Sequence, residues 1–180
     1  PFAFMHNGDI PAFSKIRRPL MESLSDEGFA MVRGNTDSEH MFALAMEHLR
    51  GREEDSSCEL LAEALHATVT GIVELLERHA PGTHAYLNLV LADGHNAATC
   101  RFSTDENYID SLYVNQGSGY RCEDGACYMA EPEASARAVL ISSEPLNEGP
   151  GWKPIERNHV ALVSSDCSVS FRPLDACAAG

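Results

Sequence analysis

Hydrophobic residues follow two spacings along this chain, and the change between them divides it into a helical part and a β-rich part. Before residue 80, apolar positions return every three or four residues, which indicates amphipathic helices. The longest predicted helix runs from Cys58 to His79 and stops before Pro81-Gly82. Its apolar face consists of Leu61, Leu65, Val69, Ile72 and Leu76. Such a face is suited to packing against a sheet.

Two shorter helices are predicted before this one. Residues 14–24 show a helical pattern with Pro19 inside it, so either the first turn is separate or the helix begins near this proline. Residues 25–28 are expected to form a loop. The next helix begins at Thr36-Asp37-Ser38-Glu39, a capping-box sequence in which Thr36 caps the helix and Glu39 reaches back to the Thr36 amide.

After residue 84 the pattern becomes β-like. Residues 85–92 and 97–103 flank the turn Asp93-Gly94-His95-Asn96 and are predicted to form an antiparallel hairpin. Further strand candidates are residues 111–114, 119–122, 136–142, 157–165 and 167–174. Helices combined with strands that pair locally indicate an α+β fold, and the length fits one domain.

The N-terminal stretch contains a candidate for binding an oxygen atom. Phe2 to Met5 are predicted to form a buried strand that turns sharply at His6-Asn7-Gly8. Gly8 can adopt a positive φ and bring the backbone close to a ligand, while Asn7 adds an amide donor. Two such donors stabilise a developing oxyanion, although Asn-Gly by itself indicates only a turn. His6 either orients this turn or caps the strand, and we assign it no chemistry.

Asp37 has two interpretations. As an acidic residue in the first turn of a helix, it stabilises the helix through the dipole. As a carboxylate at an accessible helix start, it could also pair with the ammonium group of a substrate in a charge-assisted contact. The pattern by itself favours the structural role.

Two strings of residues, PFAFMHNGDI at 1–10 and GNTDSEHMFALAME at 34–47, together resemble the class II (N-terminal nucleophile) glutamine amidotransferases. They are most similar to small stand-alone members that act on γ-glutamyl compounds. These members include the fungal glutathione-degradation subunit and the bacterial ergothioneine-pathway amidohydrolase. Residues 143–163 resemble the family more weakly.

The resemblance implies both a fold and a site. The fold would be the four-layer αββα sandwich of N-terminal nucleophile hydrolases. Asn7 and Gly8 would form an oxyanion hole, and Asp37 would bind the α-ammonium of the substrate. The implied activity is hydrolysis of a γ-glutamyl amide in glutathione, another γ-glutamyl compound or glutamine. No metal or organic cofactor is implied, and the glutathione-degrading members point to a partner peptidase subunit.

One departure from the family concerns the nucleophile, which is a cysteine at the mature N-terminus, whereas residue 1 here is proline. The family's arginine for the substrate carboxylate would also precede Pro1. We therefore expect residues 1–180 to be an incomplete domain that lacks roughly its N-terminal third. Two alternatives stay open: a non-catalytic binding or assembly subunit, and an enzyme in which an interior thiol has taken over catalysis.

The net charge disfavours some classes of binding partner, and the cysteine pattern bears on the redox state of the cellular compartment. The formal net charge of −14 disfavours binding to nucleic acid or to an anionic membrane surface. No apolar run approaches the length of a membrane span. The six cysteines show no zinc pattern, and we interpret Cys122 and Cys127 as incidental thiols in a loop, with a redox pair as the alternative. This usage predicts a reducing, cytoplasmic location.

The absent nucleophile predicts that the polypeptide of residues 1–180 has no amidase activity, because covalent catalysis needs the attacking thiol. The measurement is glutamate release from glutamine and from glutathione by this exact polypeptide. Release from either substrate above the buffer blank would contradict the prediction.

Overall fold

The computed structural model describes residues 1–52, 55–108, 110–123, 125–131 and 138–175. Within these ranges the first half of the chain is mostly helical. Its helices are α1 (Phe13–Ser23), α2 (Asp26–Met31), α3 (Asp37–Leu49) and α4 (Cys58–His79). The strands are β1 (Ala3–Asp9), β2 (Tyr86–Ala92), β3 (Ala97–Ser103), β4 (Tyr113–Gly117), β5 (Gly119–Glu123), β6 (Ala126–Ala130), β7 (Ala138–Ser142), β8 (Lys153–Pro154), β9 (His159–Val163) and β10 (Val169–Pro173).

The described strands pair antiparallel and form three sheets. The largest sheet has the order β1-β2-β3-β9-β10, so β1 is an outermost strand and pairs with the predicted β2–β3 hairpin. β7, β4 and β8 form a three-stranded sheet, and β5 and β6 form a separate hairpin.

Both faces of the five-stranded sheet are covered, as alternate residues of β9 show. Val160 and Leu162 are buried with the helices in the main hydrophobic core, whereas Ala161 is buried in a smaller core with Leu112 and Ile155, which flank β4 and β8. Neighbouring residues of a strand point to opposite faces. The helices therefore lie on one face and the three-stranded sheet on the other, which is the layering of an α+β sandwich.

The main core is built around α4. This helix has the predicted bounds, and Leu65, Val69 and Ile72 on its apolar face are fully buried against the five-stranded sheet. Ser57 caps its N-terminus, because its hydroxyl oxygen accepts the Leu60 N–H at 3.1 Å. Within the described part of the chain, no helix is both long and apolar enough to cross a bilayer.

α1 corrects the expectation that the helix breaks or begins at Pro19. The helix starts at Phe13 and continues through the proline to Ser23. Proline removes one backbone hydrogen bond from a helix interior. Ile16 and Leu20 are both fully buried on the same helix, and burial of this face offsets that loss.

The loop predicted at residues 25–28 is wrong, because these residues begin α2. Ser25 is the N-cap, and its hydroxyl oxygen accepts the Gly28 N–H at 3.1 Å. The same hydroxyl donates to the Glu47 carboxylate of α3 at 2.5 Å. Glu47 therefore holds the start of α2 against α3.

The turn predicted at Asn7-Gly8 is wrong, because both residues belong to β1. The strand continues through these residues to Asp9, and residues 3–9 pair one by one with residues 92–86 of β2. Gly8 does not have a positive φ. Pairing with a neighbouring strand outweighs the local turn preference of Asn-Gly, because β structure depends on its context.

The β5–β6 hairpin corrects the interpretation of Cys122 and Cys127 as incidental thiols in a loop. The two cysteines lie opposite each other across the hairpin and form a disulfide, with their Cα atoms 4.0 Å apart. Gly125, with φ of +81°, belongs to the tight turn between them. Because disulfides are typical of oxidising compartments, these two cysteines no longer indicate a reducing one. Cys177 and residues 136–137 of a predicted strand lie outside the described residues.

Replacing Leu65 with alanine should lower the free energy of unfolding by about 2–5 kcal/mol, because Leu65 is fully buried on the core-facing side of α4. The matched control on the same helix is Glu74→Ala, which changes an exposed side chain and should stay within about 0.5 kcal/mol of the parent. Urea unfolding measures both. Equal effects of the two substitutions would show that α4 is not the core helix.

Candidate active site

The alternation of β1 divides the predicted oxyanion residues between the two faces of the sheet. Phe4 stacks on Phe42 of α3 with the ring centroids 5.6 Å apart, and the His6 ring lies on the same helix-facing side. Gly8 follows in the same alternation. The Asn7 side chain points to the opposite face, toward the three-stranded sheet.

Asn7 is held by the loop that follows β7. Its Nδ2 donates to Ser143 Oγ at 2.6 Å, and the Ser143 carbonyl accepts the Ser111 hydroxyl at 2.7 Å. Asn88, which is opposite Asn7 on β2, donates to the Ser111 carbonyl at 3.2 Å. Because an amide nitrogen carries two hydrogens, Asn7 keeps one donor for a ligand while Ser143 fixes its direction.

Gly8 occupies a position that no larger residue fits. A Cβ atom there would collide with the backbone carbonyl of Tyr86 and would lie 2.9 Å from His6 Nε2. The His6 ring uses this space, since its Nε2 lies 3.4 Å from the Tyr86 carbonyl oxygen. Glycine is therefore needed here for close packing and not for a turn.

Asp37 is the first residue of α3, as the capping-box sequence predicted. Thr36 Oγ1 accepts the Glu39 N–H at 3.3 Å, which confirms the N-cap. The reciprocal half of the box differs, because the Glu39 carboxylate accepts the N–H groups of Arg33 and Gly34 at 2.8 and 2.7 Å, upstream of Thr36. The Arg33 bond is the main cause that lowers the pKa of the Glu39 carboxyl. Glu39 thus joins the preceding loop to α3.

His40 fastens the beginning of α3 to α1. The side chain is fully buried, and its Nε2 accepts the Arg17 Nε–H at 3.2 Å. Nδ1 therefore carries the hydrogen that is donated to the Thr36 carbonyl at 2.7 Å. The Phe13 ring packs edge-on against the imidazole, with the centroids 5.0 Å apart. His40 is therefore a structural residue that fixes the position of the α3 N-terminus.

The Asp37 carboxylate lies beside His6 and not beside the Asn7 amide. Its Oδ1 accepts the Ser38 N–H at 2.7 Å and is 3.8 Å from His6 Nδ1. The Ser38 hydroxyl lies between them, 3.1 Å from Nδ1 and 3.3 Å from Oδ1. β1 is outermost in the described sheet, with Asp37 beside its helix-facing side and the Asn7 amide on the opposite face.

A cavity of about 460 Å³ opens on the Asn7 side of β1. It is lined by Asn7, Gly8, Asp9, Tyr86, Asp105, Asn107, Tyr108 and Asp110. Tyr86 donates to Asp105 at 2.9 Å, and this bond raises the pKa of Tyr86. Burial, followed by the Asp110 charge, raises the pKa of Tyr108 to about 12. Both phenols therefore stay neutral at physiological pH. A larger cavity of about 650 Å³ between α1 and α2 contains none of the predicted site residues.

Four of the interior cysteines are unsuited to replace a catalytic thiol. The thiolate is the attacking form, and burial raises the pKa of Cys100 to about 12. Burial also raises the pKa of Cys58. Cys122 and Cys127 are joined in the disulfide. As for metals, no cluster of three or more histidine, cysteine, aspartate or glutamate side chains capable of holding an ion occurs in the described ranges.

Three residues that the sequence pattern did not assign to the site contact its predicted members, namely His6, Ser38 and Ser143. The predicted turn concealed the alternation of Phe4, His6 and Gly8 along one strand face, which would have directed His6 toward the helices. In the sequence pattern, Ser38 stands out only as part of the capping box. Ser143 contacts Asn7 from 136 positions away, and its only signal was the weak resemblance of residues 143–163 to the family.

Comparisons with known sequences agree on one family. The family model described as class-II glutamine amidotransferases matches residues 1–173. The probable glutamine amidotransferase DUG3 of Saccharomyces cerevisiae is 26% identical over 174 residues, which cover 89% of this chain and 49% of that protein. The chain thus spans about half the length of this curated relative.

Solved structures confirm the fold. A glutamine aminotransferase class-II domain protein from Silicibacter pomeroyi has a TM-score of 0.69 at 24% identity, covering 98% of this chain and 69% of that one. The glutamine phosphoribosylpyrophosphate amidotransferase from B. subtilis has a TM-score of 0.57 at 11% identity, covering 97% of this chain and 29% of that one. These likenesses confirm the predicted α+β fold of the N-terminal nucleophile hydrolase type.

Replacing Gly8 with alanine should lower the free energy of unfolding by about 1–3 kcal/mol, because the new Cβ would force β1 away from the Tyr86 carbonyl. The matched control is Gly119→Ala at the start of β5, where a Cβ would meet open space; it should stay within about 0.5 kcal/mol of the parent. Thermal or urea unfolding of both variants is the measurement. If Gly8→Ala is as stable as Gly119→Ala, β1 does not pack against β2 in this register.

Proposed function

The chain belongs to the class II glutamine amidotransferase family, and on this basis we propose that the full-length protein hydrolyses a γ-glutamyl amide bond. The observation that carries the proposal is the placement of Asp37 beside the His6 that precedes Asn7-Gly8. One part of this edge offers donors for a carbonyl oxygen, and the other offers a carboxylate for an ammonium group. A γ-glutamyl group carries both functions, a carbonyl at its γ end and an ammonium at its α-carbon.

The proposed reaction divides the work between the family's N-terminal cysteine and the residues of this edge. The cysteine thiol attacks the γ-carbonyl carbon and gives its proton to the terminal amine. Asn7 Nδ2 and the Gly8 backbone donate to the resulting oxyanion. Breaking the C–N bond releases the amine, which takes up the proton, and leaves a thioester that water hydrolyses to free glutamate. Asp37 holds the α-ammonium through both steps.

Glutathione is the substrate we favour. The support is the similarity of residues 1–10 and 34–47 to the fungal glutathione-degradation subunit. Glutamine and other γ-glutamyl compounds present the same end to Asn7, Gly8 and Asp37, so these three residues do not distinguish among them. A partner peptidase that would cleave the released dipeptide belongs to the same proposal.

The roles of Asn7 and Asp37 should be distinguishable in the steady-state kinetics of the full-length protein, through kcat and KM. Asn7→Ala should lower kcat by about 10²–10³-fold, because it removes an oxyanion donor. Asp37→Asn should chiefly raise KM, by about 10–100-fold, because it removes a charged partner of the substrate ammonium. Glutamate release from glutathione and from glutamine is the measurement.

The control for Asp37→Asn is Asp26→Asn, which neutralises an acidic residue in the first turn of α2 and leaves this edge unchanged. It should alter neither kcat nor KM by more than about twofold, since surface substitutions away from a site have small effects. Negligible effects of both Asn7→Ala and Asp37→Asn would overturn the site assignment.

A further inference from the structure

The His6 side chain lies at the meeting point of β1, β2 and α3. It is 2% exposed, and the ring lies between the Tyr86 carbonyl of β2 and the first turn of α3. A buried imidazole without partners is costly, so its contacts define its role. The reaction described above assigns His6 no step.

The contacts of the two ring nitrogens define how the ring is held. A carbonyl oxygen only accepts hydrogen bonds, so Nε2, at 3.4 Å from the Tyr86 oxygen, carries a hydrogen. Nδ1 is 3.1 Å from Ser38 Oγ. The single hydrogen of that hydroxyl is donated to Asp37 Oδ1, so Nδ1 donates to the Ser38 oxygen. The ring is thus held against Ser38 by Nδ1 and against β2 by Nε2.

Ser38 and His6 together fix one oxygen of the Asp37 carboxylate. Oδ1 accepts the Ser38 N–H at 2.7 Å, lies 3.3 Å from the Ser38 hydroxyl and faces His6 Nδ1 at 3.8 Å. Among the described residues, the hydrogen bonds of Asp37 with Ser38 and its contact with His6 all use Oδ1. The carboxylate is 20% exposed, so Oδ2 is the oxygen left to meet a ligand.

We propose that His6 is a positioning residue that acts through Ser38 on Asp37 and directs Oδ2 toward the α-ammonium of the γ-glutamyl group. This inference rests on the proposed function, because it assigns His6 a part in the same site. It also explains the glycine at position 8, since a Cβ there would crowd His6 Nε2. His6 therefore contributes to recognition of the ammonium group and not to the bond-breaking step.

The test uses two ligands that differ only in the ammonium group. L-Glutamate is the product common to all γ-glutamyl substrates, and glutarate is the same diacid without the amino group. Their dissociation constants are measured by calorimetry on the full-length protein. If Asp37 binds the ammonium, the parent should prefer glutamate to glutarate by at least about tenfold, the equivalent of one charge-assisted hydrogen bond.

Two substitutions of His6 distinguish the roles of its two ring nitrogens. Asparagine places an amide group near the position of Nδ1, and glutamine places one near the position of Nε2. His6→Gln should reduce the preference for glutamate about tenfold while changing glutarate affinity little. His6→Asn should retain the preference within about threefold, because it can still contact Ser38. Ser38→Ala provides a second route: it keeps the backbone bond to Asp37, removes the hydroxyl and should also reduce the preference.

Each outcome supports or overturns the positioning role of His6. A preference that is lost in His6→Gln and Ser38→Ala but kept in His6→Asn supports positioning through Ser38. Equal weakening of glutamate and glutarate, or a preference unchanged in His6→Gln and Ser38→Ala, overturns it and leaves His6 a packing residue. A parent protein that does not distinguish the two ligands overturns the role of Asp37 and the proposed function with it.

Discussion

The antiparallel register of β1 against β2 is the constraint on which the candidate site depends. Because residues 3–9 pair in order with residues 92–86, His6 and Gly8 share one face of the sheet and Asn7 takes the other. A slip of one residue would exchange these faces, and it would move His6 away from α3 and Asn7 away from Ser143. The absent side chain of Gly8 allows the strands to approach this closely. The donors of this edge are therefore positioned by strand pairing.

The start of α3 supplies the carboxylate by an independent route. The Thr36 cap, the Glu39 bonds to the preceding loop and the buried His40 fix the first turn of this helix to α1 and to the segment before it. A single N-cap contributes about 1 kcal/mol, and several contacts together hold the turn more firmly. Sheet pairing thus places Asn7 and Gly8, helix capping places Asp37, and His6 lies where the two meet.

Features governed by local sequence were predictable, and those governed by distant contacts were not. The periodicity of residues 58–79 predicted α4 with its bounds, and the capping box predicted Asp37 at a helix start. At Asn7-Gly8 the local preference indicated a turn, and pairing with a strand that begins at Tyr86 overrode it. The contact of Asn7 with Ser143 depends on tertiary position, which spacing along the chain does not encode. The pairing of Cys122 with Cys127 depends on the register of two strands, which spacing does not encode either. Family resemblance singled out Asn7, Gly8 and Asp37, whereas the contacts of His6 with Ser38 and Asp37 are visible only in the structure.

The most direct test of γ-glutamyl hydrolysis is glutamate release by the full-length protein from glutathione and from glutamine, measured side by side. The control is a variant in which the N-terminal cysteine of the family is replaced by alanine. Release that depends on this cysteine and is faster from glutathione is the expected result. No release from either substrate, or release that persists without the cysteine, would contradict the proposed function.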